Sequence, residues 1–216
     1  MKTKSTEIVF ILDRSGSMGG LEGDTIGGYN AFLKKQQGEE GDARITTVLF
    51  DDRYELLHDR LDIRAVSPMD ETQYFVRGST ALMDAVGKTI HKIAGVQRRS
   101  KPEYRAGKVI FVITTDGQEN ASREFSAAEV RRLVERQKKE YGWEFIFLGA
   151  NIDAAETAGQ IGISADRAQN YHADSAGTAL NFRAMAKAVS DFRACDEISA
   201  EWNKEIQADF EGRQAE

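Results

Sequence analysis

Short apolar segments rich in β-branched and aromatic residues alternate with segments of helical periodicity along most of the chain. This alternation is typical of an α/β protein, in which helices connect parallel strands and cover both faces of the sheet. We predict a three-layer, doubly wound, mostly parallel sheet with the common strand order 3-2-1-4-5-6. Six segments are predicted as strands, the last one weakly: residues 7–12, 44–50, 54–58, 108–115, 144–148 and 169–172.

The links between these strands carry the signals of a hairpin and of several helices. Residues 51–53 are a short turn candidate, so the third strand is predicted to run antiparallel to the second. Ser126 is predicted to cap a helix that ends near Lys139, because Glu129 three residues later completes a capping box. Further helices are predicted at residues 26–33, 81–93, 154–159 and from Asp174 or Ser175 to about Cys195.

The length and composition fit one domain. The chain has 216 residues, of which 41% are apolar, and this is enough for a substantial core. We predict a single domain over residues 1–195, followed by a charged helix or tail at residues 196–216. Within that tail, Ile198, Trp202 and Ile206 recur every four residues. The spacing favours a last helix packed on the domain, and a docking helix for a partner is the alternative.

Composition argues against several classes of function. The net charge of −6 disfavours a general nucleic-acid binder, because phosphate neutralisation requires a basic face. The basic run at residues 98–101 is interpreted as a solvated helix end. Cys195, the single cysteine, can form neither an internal disulfide nor a zinc site. The N-terminal residues do not follow the pattern of a signal peptide, and the apolar run at residues 8–12 is too short for a membrane span, so we expect a cytoplasmic protein.

The ends of the first and fourth predicted strands carry the polar residues that are most informative about function. In an open α/β sheet, ligands bind beyond the carboxyl ends of the strands where the strand order reverses, which here is between strands one and four. Asp13, Ser15 and Ser17 offer three side-chain oxygens from one loop, and Asp116 adds a second carboxylate. Oxygen ligands with two carboxylates suit a hard cation, Mg²⁺ first, with Mn²⁺ and Ca²⁺ as alternatives.

The Asp13-x-Ser15-x-Ser17 sequence after an apolar strand resembles the metal-ion-dependent adhesion site (MIDAS) of von Willebrand factor A domains, which have a Rossmann-like fold. That family completes the site with a threonine from a middle loop and an aspartate after the fourth strand. Thr80 in a Gly-Ser-Thr-Ala-Leu segment matches the first, and Asp116 in a Thr-Asp-Gly segment matches the second. The resemblance covers roughly residues 6–193 and implies that all five side chains hold the metal.

The resemblance also implies a way of binding a partner. In this family the remaining metal ligand is typically a Glu or Asp carboxylate of another protein. We therefore expect a metal-dependent protein-binding (adhesion or scaffold) module that is not an enzyme, similar to small stand-alone bacterial members of the family. Neither a nucleic acid nor a membrane is expected as a partner. The sequence identifies neither the partner protein nor the oligomeric state.

An enzyme of the same fold class is the alternative. It would be a Mg²⁺-dependent phosphotransferase or phosphatase of the haloacid dehalogenase type, with Asp13 as the nucleophile. Enzymes of that type carry an Asp-x-Asp motif after the first strand, and the second aspartate of the motif is the general acid. Ser15 stands at that position and cannot act as an acid near neutral pH. A hydrolase based on Ser17 would need a late histidine, and His172 at a strand edge is interpreted as structural.

Several residues near the motif have two interpretations. Asp84 and Glu119-Asn120 are predicted either to support the site or to lie in solvated loops. Asp51-Asp52 is interpreted as turn chemistry only. Arg14 and Met18, the variable positions of the motif, are predicted either to shape the choice of partner or to have no part in it.

Glycines at positions 19, 20, 23, 27 and 28 follow the first predicted strand. They could suggest a phosphate cradle, but neither Gly-x-Gly-x-x-Gly nor Gly-Lys-Ser/Thr follows the strand. We interpret them as residues that let the loop approach the metal and let the first helix pack tightly.

Overall fold

A six-stranded sheet forms the centre of the protein, in a computed structural model that describes residues 5–214. The strands are β1 (Thr6–Asp13), β2 (Ala43–Phe50), β3 (Tyr54–Asp62), β4 (Lys108–Asp116), β5 (Glu144–Ala150) and β6 (Ala168–Asn170). They are ordered β3-β2-β1-β4-β5-β6. β3 runs antiparallel to β2, and every other neighbouring pair is parallel. The predicted order with an antiparallel third strand is confirmed.

β1 shows why this sheet needs helices on both faces. Every residue of the strand is buried. Ile8, Phe10 and Leu12 belong to one apolar core. Val9 and Ile11 belong to a second core on the other face, because successive side chains of a strand alternate in direction. A central parallel strand buried in this way has the nearly continuous apolar sequence from which it was predicted.

Within residues 5–214, six α-helices cover the sheet: α1 (Glu22–Gly38), α2 (Leu82–Arg99), α3 (Ala127–Tyr141), α4 (Ala154–Gln160), α5 (Ser175–Cys195) and α6 (Lys204–Gln214). α1, α5 and α6 contribute to the core on one face, and α2, α3 and α4 contribute to the core on the other. The five predicted helices are confirmed as α1 to α5. None of the helices described between residues 5 and 214 combines the length and apolar character needed to span a bilayer.

Capping residues set the starts of two helices. The Ser126 hydroxyl accepts the Glu129 N–H (3.3 Å), and the Glu129 carboxylate accepts the Ser126 N–H (2.8 Å), which is the predicted capping box. Asp174, not Ser175, caps α5 by accepting the N–H of Gly177 (2.7 Å). These side chains satisfy backbone donors that the first helical turn leaves unpaired.

The two edge strands differ from prediction in length. β3 continues to Asp62, although residues 54–58 alone were predicted as strand. The residues after His58 are mostly polar, and the pairing with β2 shifts register near Thr47, so no apolar alternation marks this extension. β6 has three residues and ends before His172. Short or irregular edge strands leave few exposed backbone groups for pairing with other chains.

Gly28 lies where α1 meets α5. A Cβ at this position would lie 2.2 Å from the ring of Phe182, so only glycine permits the approach of the two helices. The expectation of glycines for tight helix packing is therefore confirmed at Gly28. It is wrong for Gly23 and Gly27, where a Cβ would meet nothing within 4 Å.

The chain after α5 returns to the domain. Asp196 adopts a left-handed conformation (φ 64°) and ends the helix. Ile198, Trp202 and Ile206 are buried in the core on the α1 side of the sheet. The structure thus has this segment packed on the domain, with α6 beginning only after Trp202. The predicted domain boundary after Cys195 stays a prediction.

Candidate metal site

Asp13 is the last residue of β1 and is fully buried. The parallel register of β1 and β4 brings it beside the end of β4. The Thr115 hydroxyl donates to Asp13 Oδ2 (2.6 Å), and the Asp116 N–H donates to the same oxygen (3.3 Å). The Ser15 N–H donates to Asp13 Oδ1 (2.7 Å). The Asp13 carboxylate therefore joins the loop after β1 to the end of β4.

Ser15 and Ser17 lie in the loop after β1, and their hydroxyl oxygens are 3.0 Å apart. Ser15 is buried, whereas Ser17 is exposed. The Ser17 hydroxyl also donates to the backbone carbonyl of Asp116, so it bridges the loops after β1 and β4. Gly117 permits this approach: its φ of +129° is rare for other residues, and a Cβ there would lie 3.2 Å from the Ser17 hydroxyl oxygen.

Thr80 is buried in the loop before α2, between the other two loops. On one side, the Gly16 N–H donates to the Gly78 carbonyl (3.1 Å), which ties this loop to the loop after β1. On the other side, the Thr80 N–H donates to Asn120 Oδ1 (3.0 Å) in the loop after β4. The Thr80 backbone is thus fixed at the site. Within residues 5–214, the Thr80 hydroxyl is not hydrogen-bonded to the other four predicted ligands, whereas those four are linked to one another by hydrogen bonds.

Asn151 was not among the predicted site residues. It follows β5, whose Ala150 pairs with Asp116 in the sheet, and its side-chain amide donates to Asp116 Oδ1. Asn151 adopts a left-handed conformation (φ 56°), which asparagine tolerates better than most residues. Its position just beyond β5, three residues after the end of the predicted strand 144–148, is the signal that could have identified it, since the same rule selected Asp13 and Asp116.

Both carboxylates lie in surroundings that favour a bound cation. Burial raises the pKa of Asp13 above its ordinary value, although hydrogen bonds from Thr115, Ser15 and the Asp116 N–H oppose this effect. Burial likewise raises the pKa of Asp116, opposed by the hydrogen bond from Asn151. Neutral donors, not basic side chains, oppose burial at both carboxyls. A divalent cation beside them would stabilise the charged form of each.

The donor set is made of oxygen atoms. In the part of the chain from residue 5 to residue 214, no group of three or more His, Cys, Asp or Glu is placed to hold a metal. A cation at this edge would depend on the two carboxylates and on the hydroxyls of Ser15, Ser17 and Thr80. Such a set fits Mg²⁺, Mn²⁺ or Ca²⁺. The residues present are therefore suited to a hard divalent cation.

A model of the von Willebrand factor type A (VWA) domain matches residues 7–185. The chain belongs to this family. The matched range contains the three loops described above and ends within α5. No curated protein matches the chain. The family assignment agrees with the resemblance drawn from the motifs at Asp13, Thr80 and Asp116.

Solved structures that share the VWA fold are distant in sequence. Pilus adhesin SpaC from Lactobacillus rhamnosus GG is 13% identical, with a TM-score of 0.64 over 88% of this chain and 31% of that chain. Proximal thread matrix protein 1 from the mussel byssus, in a structure with a zinc-occupied MIDAS motif, is 16% identical, with a TM-score of 0.56 over 87% of this chain and 46% of that one. The ArnB paralog VWA2 from Sulfolobus acidocaldarius is 17% identical, with a TM-score of 0.51 over 88% and 45%. The chain spans less than half the length of these proteins, and the likeness shows the fold alone.

The haloacid dehalogenase alternative gains no support in this VWA domain. Asp13, its supposed nucleophile, is fully buried, and both of its carboxylate oxygens accept hydrogen bonds. A nucleophile would need an accessible oxygen for attack on phosphorus. His172 packs against Phe210 with their ring centroids 4.8 Å apart, so the structural interpretation of this histidine is confirmed.

Arg14, the first variable residue of the motif, is fully buried. Its Nε donates to Asp51 Oδ2 (3.0 Å), and its Nη2 donates to Glu55 Oε2 (2.7 Å). Arg77 donates from Nε to the same Asp51 oxygen (2.6 Å). Asp51 is therefore more than a turn residue, which corrects its interpretation from the sequence. Both Arg14 and Met18 are buried, so neither side chain is exposed for direct contact with a partner, and a role of these residues in the choice of partner stays a prediction.

Asp84 and Glu119 hold the loop after β4 against the start of α2. The Asp84 carboxylate accepts the backbone N–H groups of residues 123–125, at 3.0, 2.9 and 2.8 Å. The Glu119 carboxylate accepts the N–H of Met83 (2.9 Å) and that of Ser122 (2.8 Å). Both residues therefore support the loops of the site, and the solvated-loop interpretation is wrong for them.

Proposed function

We propose that this VWA domain binds a divalent cation, Mg²⁺ first, through Asp13, Ser15, Ser17, Thr80 and Asp116, and through it binds an acidic side chain of a partner protein. The observation that carries the proposal is the meeting of two buried carboxylates and two serine hydroxyls at the ends of β1 and β4. Mn²⁺ and Ca²⁺ are alternatives. Zn²⁺ joins them, because a mussel VWA structure has a zinc-occupied MIDAS motif.

The charge and exposure of the donor set support an acidic partner. The oxygens of Asp13 accept hydrogen bonds from three neutral donors, which favours an indirect contribution of this carboxylate through water. Neutral hydroxyls would then supply much of the direct coordination and leave the cation short of negative charge. Mg²⁺ takes about six oxygen ligands, so a further carboxylate has a position to fill. Ser17 is exposed, which supports access from outside.

The named relatives support a binding role. SpaC is a pilus adhesin, and its likeness to this chain covers the VWA fold. A scaffold role without catalysis, a bacterial origin and a cytoplasmic location stay predictions. The adhesin and the byssus protein do not decide the location, because the chain spans less than half of either.

Calorimetric titration of the metal-free chain with Mg²⁺, Mn²⁺ and Zn²⁺ tests the cation site. We expect the wild type to bind at least one of them at a single site and the Asp13→Asn variant to bind none. Asp153→Asn is the matched control, since it removes a carboxylate after β5 while asparagine can still cap α4. Equal binding by the wild type and Asp13→Asn would overturn the cation site.

Water-proton relaxation of the Mn²⁺-loaded chain tests the acidic partner separately. Acetate carries the carboxylate of an Asp or Glu side chain, and acetamide is its neutral counterpart. We expect acetate to displace a metal-bound water and to lower the relaxation enhancement, and acetamide to leave it unchanged. If the chain binds Mn²⁺ but acetate has no more effect than acetamide, the metal site stands and the acidic partner is wrong.

A further inference from the structure

A cavity of about 350 Å³ lies between α2 and α3, beside the amino ends of β4 and β5. It is distinct from the candidate metal site: Val109 lines it, and Asp116 lies seven residues further along the same strand, roughly 23 Å away. Ile90, Leu133 and Trp143 add apolar walls. The volume falls within the range of small-molecule sites.

Two glutamine side chains that line this cavity each have a buried amide atom without a hydrogen-bond partner in the described part of the chain. These atoms are Gln97 Nε2 and Gln137 Oε1. Gln97 Oε1 accepts the Ala106 N–H (3.1 Å), which fixes the amide and leaves its donor end unpaired. Gln137 is only 4% exposed. Because buried polar groups normally have partners, one donor and one acceptor remain to be matched here.

The lining of this cavity is positively charged, although the net charge of the chain is −6. Arg98, Arg105 and Arg136 line it, and no carboxylate is among its described lining residues. Arg136 pairs with Glu140 one helical turn away, but both side chains are well exposed. Such an exposed pair is weak and leaves the guanidinium able to bind another anion. Arg98 belongs to the predicted solvated helix end, which is exposed as expected and also borders this cavity.

We propose that the cavity binds a nucleoside monophosphate. The flat apolar base lies against Trp143, whose ring is held by stacking on Phe111 (centroids 5.5 Å apart). Bases carry hydrogen-bond donors and acceptors on one edge, and these match the unpaired Gln137 Oε1 and Gln97 Nε2 once the two buried amides turn to face the cavity. The terminal torsion of glutamine is soft, so the Gln137 amide can turn toward a base. The phosphate lies beside Arg98, Arg105 and Arg136, because a planar guanidinium can donate two parallel hydrogen bonds to phosphate oxygens and carries the opposite charge.

Two-dimensional NMR of the full chain in EDTA tests this proposal with adenosine, guanosine, cytidine and uridine monophosphates. EDTA removes divalent cations, so phosphate cannot be held through the candidate metal site. We expect saturable binding of at least one nucleotide, with a shift of the Trp143 indole N–H. The chain has two tryptophans, and Trp202, which is buried in the other core, provides an internal control whose signal stays in place.

Variants locate the binding further. Gln137→Leu and Arg136→Ala are each expected to weaken the nucleotide by about tenfold, the usual loss for a hydrogen bond to a charged or buried group. Arg131→Ala is the matched control, because Arg131 lies on the same helix and pairs with Glu135 in the same exposed manner. Unfolding midpoints confirm that each variant is folded, and Gln97→Leu replaces Gln137→Leu if the latter is not.

Five results would overturn the proposal. One is the absence of saturation by all four nucleotides in EDTA. Another is binding that shifts Trp202 and not Trp143, or that is unchanged in both Gln137→Leu and Arg136→Ala. Orthophosphate alone binding as tightly as the nucleotide would indicate a simple anion site. If the parent nucleoside bound as tightly as the nucleotide, the arginines would have no role in binding the phosphate.

Discussion

Asp13 and Asp51 lie at the ends of neighbouring strands and are both fully buried, yet their surroundings shift their pKa values in opposite directions. Asp13 ends β1 and accepts hydrogen bonds from neutral donors, and burial raises its pKa. Asp51 follows β2. Burial alone would raise its pKa too, but hydrogen bonds from Arg77, the Arg53 N–H and Arg14, with the positive charge of Arg14, lower it below the ordinary value.

This difference separates a structural carboxylate, Asp51, from a candidate metal ligand, Asp13. A buried charge is strongly unfavourable unless a charge of opposite sign or several hydrogen bonds compensate it. The chain supplies two guanidinium groups to Asp51 and so completes that site within itself. Within residues 5–214, no cationic side chain bonds to Asp13, which lies at the edge of the sheet where open α/β proteins bind ligands. A buried carboxylate with neutral donors alone in that position is a candidate ligand for an external cation.

The largest expected effect is on the structural member of the pair. Asp51→Asn should lower the free energy of unfolding by about 3 kcal/mol, because it leaves the buried Arg14 without its fully buried charge partner. The value lies at the low end for a broken buried pair, since Glu55 still contacts Arg14. Urea unfolding at neutral pH measures it.

Glu55→Gln is the control for that measurement. Glu55 is 46% exposed on its side chain, so its pairing with Arg14 is partly screened by water. We expect a loss below about 1 kcal/mol. An equal loss in the two variants would contradict the view that Asp51 carries the compensation of Arg14.

The next effect concerns Asp13 and depends on metal. At a Mg²⁺ concentration of 100 times Kd, binding should stabilise the wild type by about 2.7 kcal/mol. Asp13→Asn should abolish this gain, and Asp51→Asn should retain it on a less stable background. In EDTA, Asp13→Asn should differ from the wild type by less than about 1 kcal/mol, because neutral donors alone then oppose the cost of burying its charge. A loss in EDTA as large as that of Asp51→Asn would make Asp13 another structural residue.

Much of the fold and the five candidate metal ligands could be predicted from the sequence, because short local patterns mark them. β1 and β4 contain continuous apolar runs and end at Asp13 and Asp116, so strand prediction alone brings the two carboxylates together. Ser126 and Glu129 mark a helix start within four residues. The edge strands were less predictable, because the polar end of β3 has the composition of a loop.

The surroundings of Asp51 could not be predicted in the same way. Its partners Arg14 and Arg77 are distant along the chain, and nothing in a short window shows that Arg14 is buried. Asn151 depends on the register of β4 and β5, which becomes visible only once the strands are aligned. Local patterns thus predict elements and motif residues, whereas long-range pairing determines which polar residues compensate one another.

A smaller loss of unfolding free energy is expected at Asp84, whose negative charge is stabilised by backbone N–H groups and not by an arginine or an external cation. Burial opposes ionisation, but three backbone N–H groups outweigh it and lower the pKa of Asp84. Asp84→Asn should lose about 2 kcal/mol of unfolding free energy at pH 7. A lowered pKa means that the contribution is present above the unfolded value of about 3.9 and is lost as the pH falls through the folded pKa. The gap between wild type and variant should therefore narrow below pH of about 4, and a gap independent of pH would exclude the ionised carboxylate as its cause.

The smallest effect tests whether the surroundings of Asp116 tune the candidate metal site. Asn151 donates to Asp116 Oδ1 and orients the carboxylate from the neighbouring strand. Residues that orient metal ligands typically change affinity by about 10-fold or more when they are removed. Asn151→Ala should therefore weaken Mg²⁺ by about tenfold in calorimetry, while Asn203→Ala, which removes an amide that bonds to Gln169 away from the site, should leave it unchanged. If Asn151→Ala and Asn203→Ala bind Mg²⁺ alike, the Asn151 amide does not orient Asp116, and the backbone of Asp116 and its contact with Ser17 suffice. Hydrogen bonds from neutral donors would then matter at Asp13, which they distinguish from Asp51, but not at Asp116.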